Sequence, residues 1–377
     1  MDRKLTKIAI FSKWNAADGT AVLAELVGRE LAKRYELTVF APFNDVKPLQ
    51  GIRDEDYVIR CCNVQGTSSG QWTSDPKPFL EKDYDIFIPQ RIEWMPIEEL
   101  VKIYPKIKEK TKVIYVIHEI KLPENPIFWK FEWDAVVCFD ERYKRMWKEV
   151  YPEEKIHIIP YPCGSLRRGD KNKSRMELNL PLDKKIVFTC SWYPSTHVLP
   201  LIPPLAELNK KHPFIFLIVV AREYFDDKML EEIAGYDFIE WWDDMPPASK
   251  MDKYFHASDA YIFYKPKYEF KPGQIMVSSS ILSYLGTMTP VLAIESPHIQ
   301  PLGGAVMKFS DMEELKDRLV SVFEGKPVVN ETLKAAEEYV VRNSKEKVTQ
   351  EYIEFILKDM RSNMLIKEDP SALAFEG

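Results

Sequence analysis

The sequence predicts an α/β protein built from two doubly wound domains in tandem, and three observations carry that reading. Short apolar runs alternate with helical stretches along most of the chain, a pattern that implies parallel sheets covered on both faces. That grammar breaks at Ile159–Arg175, which is rich in Pro, Gly and charge and lacks periodicity, and then restarts. The length of 377 residues exceeds one typical domain and suits two, each with its own core.

In order, Lys7–Phe11 reads as a strand, Thr20–Arg34 as an amphipathic helix with Val22, Leu26 and Leu31 on one side, and Leu37–Phe40 as the next strand. A strand at Tyr57–Cys61, a Gly/Ser/Thr-rich loop over 66–74, a strand at Asp85–Pro89, a helix at Ile97–Lys110 and a strand at Lys112–Ile117 follow. Two further strands, Ala135–Phe139 and Ile156–Ile159, flank a helix over Glu141–Val150, completing one Rossmann-like unit. Past the break come a strand at Ile186–Cys190, a helix near Leu199–Lys211, strands at Phe214–Val220 and Phe238–Trp241, and a helix at Ala248–His256. The strand Asp259–Phe263 then empties into a loop carrying Lys265, Lys267, Glu269 and Lys271. Pro272-Gly273 hands over to a helix expected to open at Gln274 and stop near Gly286, before strands at Pro290–Ile294 and Ala305–Phe309. The end reads as helices at Asp311–Phe323, Glu331–Val341 and Lys345–Met360. The domains are therefore expected at 1–162 and 163–343, with a C-terminal helix over 344–361 and a frayed tail over 362–377.

Composition narrows the function. A net charge of −6 argues against general nucleic-acid binding. Five cysteines without a CxxC pair read as buried free thiols in a reducing cytosol. No segment approaches the roughly 18 apolar residues of a spanning helix, so a cytoplasmic protein is expected. Abundant Lys and Glu with few Gln fit a thermophilic source.

The basic loop and helix start at 264–280 would favour an anion, because free N–H groups and the positive dipole end meet lysines and the hydroxyls of Ser278, Ser279 and Ser280. The plainer reading is a helix with solvated lysines and capping serines. In open α/β sheets ligands sit off the carboxyl ends of strands. In the first half those ends carry the loop 12–20, with Asp18, Gly19 and Thr20, then Gln90-Arg91 and His118-Glu119. In the second they carry Ser191-Trp192-Tyr193, Ala221-Arg222-Glu223, Trp242-Asp243-Asp244 and the basic loop with Gly273 and Gln274. Two such rims facing each other would suit a molecule with an anionic centre and a hydroxylated end.

These residues resemble the GT-B fold nucleotide-sugar glycosyltransferases, in particular the large retaining family of sucrose-synthase-like and lipid or carbohydrate mannosyl- and glucosyltransferases. The resemblance covers nearly the whole length. It rests on Asp18-Gly19-Thr20 after the first strand, His118 after VIYVIH, the link IHIIPYP, and the run from Ser258-Asp259-Ala260 to Thr289-Pro290-Val291. It implies two domains facing across a cleft, a UDP- or GDP-sugar donor, a hydroxyl acceptor (saccharide, lipid-linked or small polyol), no cofactor, and a helix at 345–360 crossing back to the first domain.

The departures are specific. The family carries an Arg and a Lys after the first strand of the second domain, where this chain reads Ser191-Trp192-Tyr193-Pro194-Ser195-Thr196-His197. Its Glu-x7-Glu pattern is broken as well, with the first Glu falling near Glu269 or Gln274 and the second on Ser283. The resemblance then implies that donor phosphate meets Arg222, Lys265 or Lys271 and the helix start, with Arg222 first. It implies catalytic roles for His118, Glu269, Arg222 and Lys271. Donor contacts would come from Gly19, Ser191, Trp192, Trp242, Gly273, Gln274 and the three serines, and acceptor-side contacts from Asp18, Thr20, Arg91 and Glu119. Retention follows from the family alone; inversion would use Asp18, His118 or Glu119 as base.

Each assignment has a structural alternative. His118 would be a capped histidine, Trp192 and Trp242 packing residues, and Glu269 a partner of its lysine neighbours. Asp54-Glu55-Asp56 looks like a metal-binding DxD but precedes a strand; it is read as a solvated turn, and no essential metal is expected. The basic-aromatic helix 142–148 has the composition to rest on the inner face of a membrane, or simply to be solvated. A monomer or homodimer is expected. A nicotinamide enzyme lacks its GxGxxG. The serious alternative is a catalytically inactive GT-B-like nucleotide or sugar binder, since the missing cations and Ser283 are what loss of activity would leave.

Overall fold

A computed structural model describes residues 6–16, 18–43, 53–63, 73–244, 246 and 248–368. Among these residues the named strands pair only in parallel, and they fall into two sheets. In the first, β1 (Lys7–Phe11), β2 (Glu36–Pro42), β3 (Val58–Cys62), β4 (Ile86–Pro89), β5 (Lys112–Val116), β6 (Ala135–Cys138) and β7 (Ile156–Ile158) lie in the order β3-β2-β1-β4-β5-β6-β7. In the second, β8 (Lys185–Thr189), β9 (Phe214–Val219), β10 (Ile239–Trp242), β11 (Ala260–Phe263), β12 (Val291–Ile294) and β13 (Met307–Phe309) run β10-β9-β8-β11-β12-β13. The strands are near-continuous apolar runs because helices cover both faces; β4, β9, β11 and β12 are buried throughout. Each sheet reverses direction once, between β1 and β4 and between β8 and β11. Those reversals are the switch points where open α/β sheets leave a crevice.

The stretch expected to be an aperiodic linker is partly ordered as a helix, Lys171–Glu177, capped by Asp170. Its Arg175 is buried, ion-paired with buried Asp259 at 2.8 Å, and also donates to the carbonyls of Ala257, Leu182 and Lys184. Asp259 accepts in turn from the Ile186 N–H. This charge pair fastens the segment between the sheets to β8 and β11. The helix Asp227–Ala234 is absent from the sequence reading; its first turn is capped by Asp226. The final helix, Lys345–Glu368, runs past its expected end and lies against the first domain. Val348, Tyr352, Ile353 and Ile356 are buried there, Lys345 pairs with Glu30, and Arg34 bonds Gln350. Most of the 66–74 loop, and the tail from residue 369, lie outside the described residues.

The Asp54-Glu55-Asp56 triplet leads into a turn with both aspartates exposed, as expected, but its first two carboxylates are not merely solvated. Asp54 accepts from Arg60 and Asn15, and Glu55 from Arg29 and the indole N–H of buried Trp14, so the first two carboxylates are structural. No described helix is long and apolar enough to cross a membrane. The helix Glu141–Trp147 turns Tyr143 and Trp147 into the core, so the aromatic side chains of the basic-aromatic stretch are not on a free surface. All five cysteines are free thiols; four are buried and Cys190 is half-buried.

Replacing Asp259 by Asn leaves the Arg175 guanidinium buried against a neutral amide, and such breaks cost about 3–5 kcal/mol. Chemical unfolding of the Asp259→Asn variant is expected to show an unfolding free energy lowered by that amount, read as a lower midpoint with the transition slope unchanged.

Candidate functional site

The two switch points face each other. The helix Gly19–Leu31 starts off the end of β1 with Asp18 as its cap, the carboxylate accepting from the Thr20 N–H at 2.8 Å. A side chain on Gly19 would begin 3.1 Å from Ser279 Oγ, so the amino end of this helix lies close against Ser279 of the second domain. Buried Tyr161 locks the crossing by donating from its hydroxyl to the Gly19 carbonyl at 2.6 Å, and Ser279 interacts with the same phenol. Nearby, the Ile275 N–H donates to the Ile120 carbonyl. Arg142, anchored on Asp140, reaches across to the carbonyls of Met276 and Pro297 and to Gln300.

The helix expected to open at Gln274 starts five residues later. Residues 274–278 are non-helical, Ser278 is the cap with φ −95° and its Oγ accepting from the Ile281 N–H, and the helix spans only Ser279–Tyr284. Serine competes for backbone groups inside a helix and favours its cap, which moves the start to the serine run. Gly273 sits at φ +82° in open space, a turn conformation glycine adopts without strain.

On the first-domain rim, Asp18 is held between Lys13 at 3.0 Å and its own cap bond. Burial works against its charge, but Lys13, the Thr20 N–H and Arg91 outweigh it and keep the carboxyl below its usual value. Thr20 is buried and its hydroxyl has no partner. Arg91 adopts a left-handed backbone at φ +46° and lays its guanidinium over Trp94, 4.2 Å from the ring centre. His118 bonds through Nε2 to Gln90 Oε1 at 3.1 Å; an amide oxygen only accepts, so Nε2 carries the proton and Nδ1 is bare. Burial, then Arg91, lowers its pKa to about 3, so the ring is neutral. Glu119 is buried, bonded to the Tyr115 hydroxyl and to the His118 N–H, and burial pushes it up to about 7.

On the second-domain rim, His197 ends a short helix, Pro194–His197, after β8. Its Nδ1 stands 2.6 Å from Ser191 Oγ, and its Nε2 stands 2.9 Å from both oxygens of Glu269. Lys265, on the loop after β11, is half-buried, with its ammonium 5.4 Å from the Phe263 ring centre and no hydrogen bond or ion pair among the described residues. Burial lowers its pKa, and Glu269 opposes that shift. His298 is buried edge-on to Phe263 and Phe270, with Nδ1 unpartnered.

The other expected donor residues scatter. The Arg222 guanidinium is taken by Asp227 and the Phe225 carbonyl, and only its backbone N–H meets the Asp243 carboxylate. Trp192 packs edge-on against Tyr224 and Trp242 against Tyr254, as packing residues do. Lys271, Gly273 and Gln274 line a cavity of about 760 Å³ with Tyr268, Pro297 and Gln300. Trp242 lines another of about 350 Å³ with Asp243 and Asp244. Three contributors escaped the sequence reading: His197, Tyr161 and the cross-domain reach of Arg142. His197 had a signal, its place at a strand end beside Ser191; the other two had none.

No protein-family model matches the chain. It is similar in structure to a glycosyltransferase from Rickettsia africae, at 16% identity and a TM-score of 0.68, covering 96% of this chain and 100% of that one. HepE from Anabaena, solved with UDP-glucose, superposes at 12% identity and 0.66, covering 93% and 99%. Sucrose-phosphate synthase from Thermosynechococcus elongatus does so at 14% and 0.64, covering 95% and 100%. At these identities what is shared is the fold, and it is the GT-B arrangement of two Rossmann-like domains that the sequence implied.

With burial and Arg91 holding His118 neutral, its ring signals in NMR are expected to stay those of the Nε2–H tautomer from about pH 7.5 down to about pH 5, a range in which an ordinary histidine titrates.

Proposed function

We propose that this protein is a glycosyltransferase, moving a sugar from a UDP- or GDP-sugar to a hydroxyl acceptor with retention and without an essential metal. The observation that carries the proposal is Lys265: a half-buried ammonium over the Phe263 ring with no hydrogen bond or ion pair among the described residues, at the second switch point of a fold shared with a protein solved with UDP-glucose. Burying an unpaired charge is costly, and an anionic ligand would offset that cost. Glycosyl transfer places negative charge on the departing diphosphate, and preorganised donors aimed at that charge supply most of the acceleration. Lys265 and the free N–H groups at the start of the 13-residue helix Gly19–Leu31 are those donors here. Ser279 and Ser280 add hydroxyls beside them.

The first-domain carboxylates and imidazole favour retention over inversion. Asp18 is committed to Lys13 and the cap, Glu119 to Tyr115, and His118 is too weakly basic to take a proton from an alcohol. Attack from the leaving-group face needs none of them, because the departing diphosphate itself can accept the proton. His118 then serves as a hydrogen-bonding contact to the donor sugar, and domain closure excludes water. The acceptor is a saccharide, a lipid-linked sugar or a small polyol, and the setting is cytoplasmic.

A second reading is a nucleotide-sugar binder without turnover. It is favoured by the engagement of Glu269 with His197, which occupies the carboxylate expected at the sugar. A panel of nucleotide sugars separates the two: slow release of nucleoside diphosphate supports the enzyme, and binding without release supports the binder.

Lys265→Ala is expected to weaken nucleoside-diphosphate binding by about tenfold or more, in line with a charge-assisted bond worth about 1.5–3 kcal/mol. Arg222→Ala, whose guanidinium is already paired with Asp227, is expected to change it less than about threefold. Equal losses, or none at Lys265, would contradict the phosphate assignment; calorimetric titration measures both.

A further inference from the structure

The chain has exchanged fixed cations after β8 for an ionisable relay. His197 is buried, with Glu269 on one nitrogen and Ser191 on the other. Glu269 accepts only, which places the proton of the neutral ring on Nε2; Nδ1 is then an acceptor and takes the Ser191 hydroxyl proton. Ser191 Oγ also accepts from the Tyr193 N–H at 3.1 Å, so its single O–H is consumed by His197 in the empty site. A second proton on the ring, at Nδ1, changes this inventory. Ser191 Oγ would then accept from both His197 Nδ1–H and Tyr193 N–H, and its own O–H would be released toward the cleft.

We propose that His197 is a proton-gated phosphate switch: entry of a donor diphosphate is accompanied by uptake of one proton from solvent onto His197 Nδ1, which turns the half-buried Ser191 hydroxyl onto a phosphate oxygen. The inference rests on the reading of this cleft as a nucleotide-sugar site. The charged and titratable groups facing the ring are known from each element around it. Glu269 from the loop after β11 stabilises the imidazolium, while Lys265 from the same loop and His298 after β12 oppose it; Tyr193 packs edge-on from the ring's own loop. Burial and Lys265 keep the ring neutral in the empty site, and Glu269 opposes them. A diphosphate adds negative charge where Lys265 now acts unopposed by any ligand, which shifts that balance toward the protonated ring.

The sign follows. A ring that gains a proton on binding makes affinity highest at low pH. Affinity then falls by up to about tenfold per pH unit between the pKa of the empty site and that of the bound state, and levels off above the latter. The test is calorimetric titration of the full chain with UDP-glucose and with GDP-mannose, whose diphosphates do not titrate near neutrality, in two buffers of different ionisation heat. The expected result is uptake of close to one proton at about pH 8, with affinity falling as pH rises through that value. His197→Gln, which keeps both hydrogen bonds but cannot titrate, is expected to abolish the uptake and flatten the pH profile; Ser191→Ala is expected to keep the uptake and weaken binding. Binding by the unaltered protein without proton uptake, or uptake that survives His197→Gln, overturns the inference while leaving the donor-site reading intact. Failure of both nucleotide sugars to bind overturns that reading and this inference together.

Discussion

The two sheets meet where the amino end of the helix Gly19–Leu31 lies against Ser279. Tyr161 of the first domain donates to the Gly19 carbonyl and also interacts with Ser279 of the second, and so ties the crossing together. The remaining cross-domain bonds, from Arg142 to Met276, Pro297 and Gln300 and from Ile275 to Ile120, are consistent with that spacing.

Positive charge at this crossing is organised differently from the family the sequence resembles. The loop after β8 has no Arg or Lys, and instead holds a hydroxyl and an imidazole whose charge depends on pH and on what is bound. The permanent cation sits on the other side of the switch point, as Lys265 after β11, where burial makes it an effective partner for an anion. The carboxylate nearest to it, Glu269, is already committed to His197, so Lys265 is not neutralised by a direct ion pair.

The architecture was legible because it follows from local rules. Strand β1 and the helix Ile97–Lys110 run where the apolar runs and their polar borders place them. Boundaries failed where chemistry was ambiguous: a run of three serines can cap a helix or continue one, and the cap won at Ser278. The 227–234 helix has strongly one-sided apolar residues but is short and half of its residues are charged, so its period was easy to miss. Arg175 looked like linker charge and is a buried anchor, because its partner Asp259 lies 84 positions away. The candidate site divides the same way. Its location at strand ends could be read from the sequence, but the His197–Glu269 contact spans 72 positions and the Asp227 partner of Arg222 is a matter of side-chain geometry.

Donor binding, as proposed, depends on a diphosphate held between the sheets by half-buried Lys265 and the amino end of the helix that begins at Gly19. A crystal structure with UDP-glucose bound tests it most directly. Phosphate oxygens about 3 Å from Lys265 Nζ and from a backbone N–H of the first turn after Gly19 are the expected result. Nucleotide lying instead in the outer groove beside Tyr268, with Lys265 still bare, would contradict it.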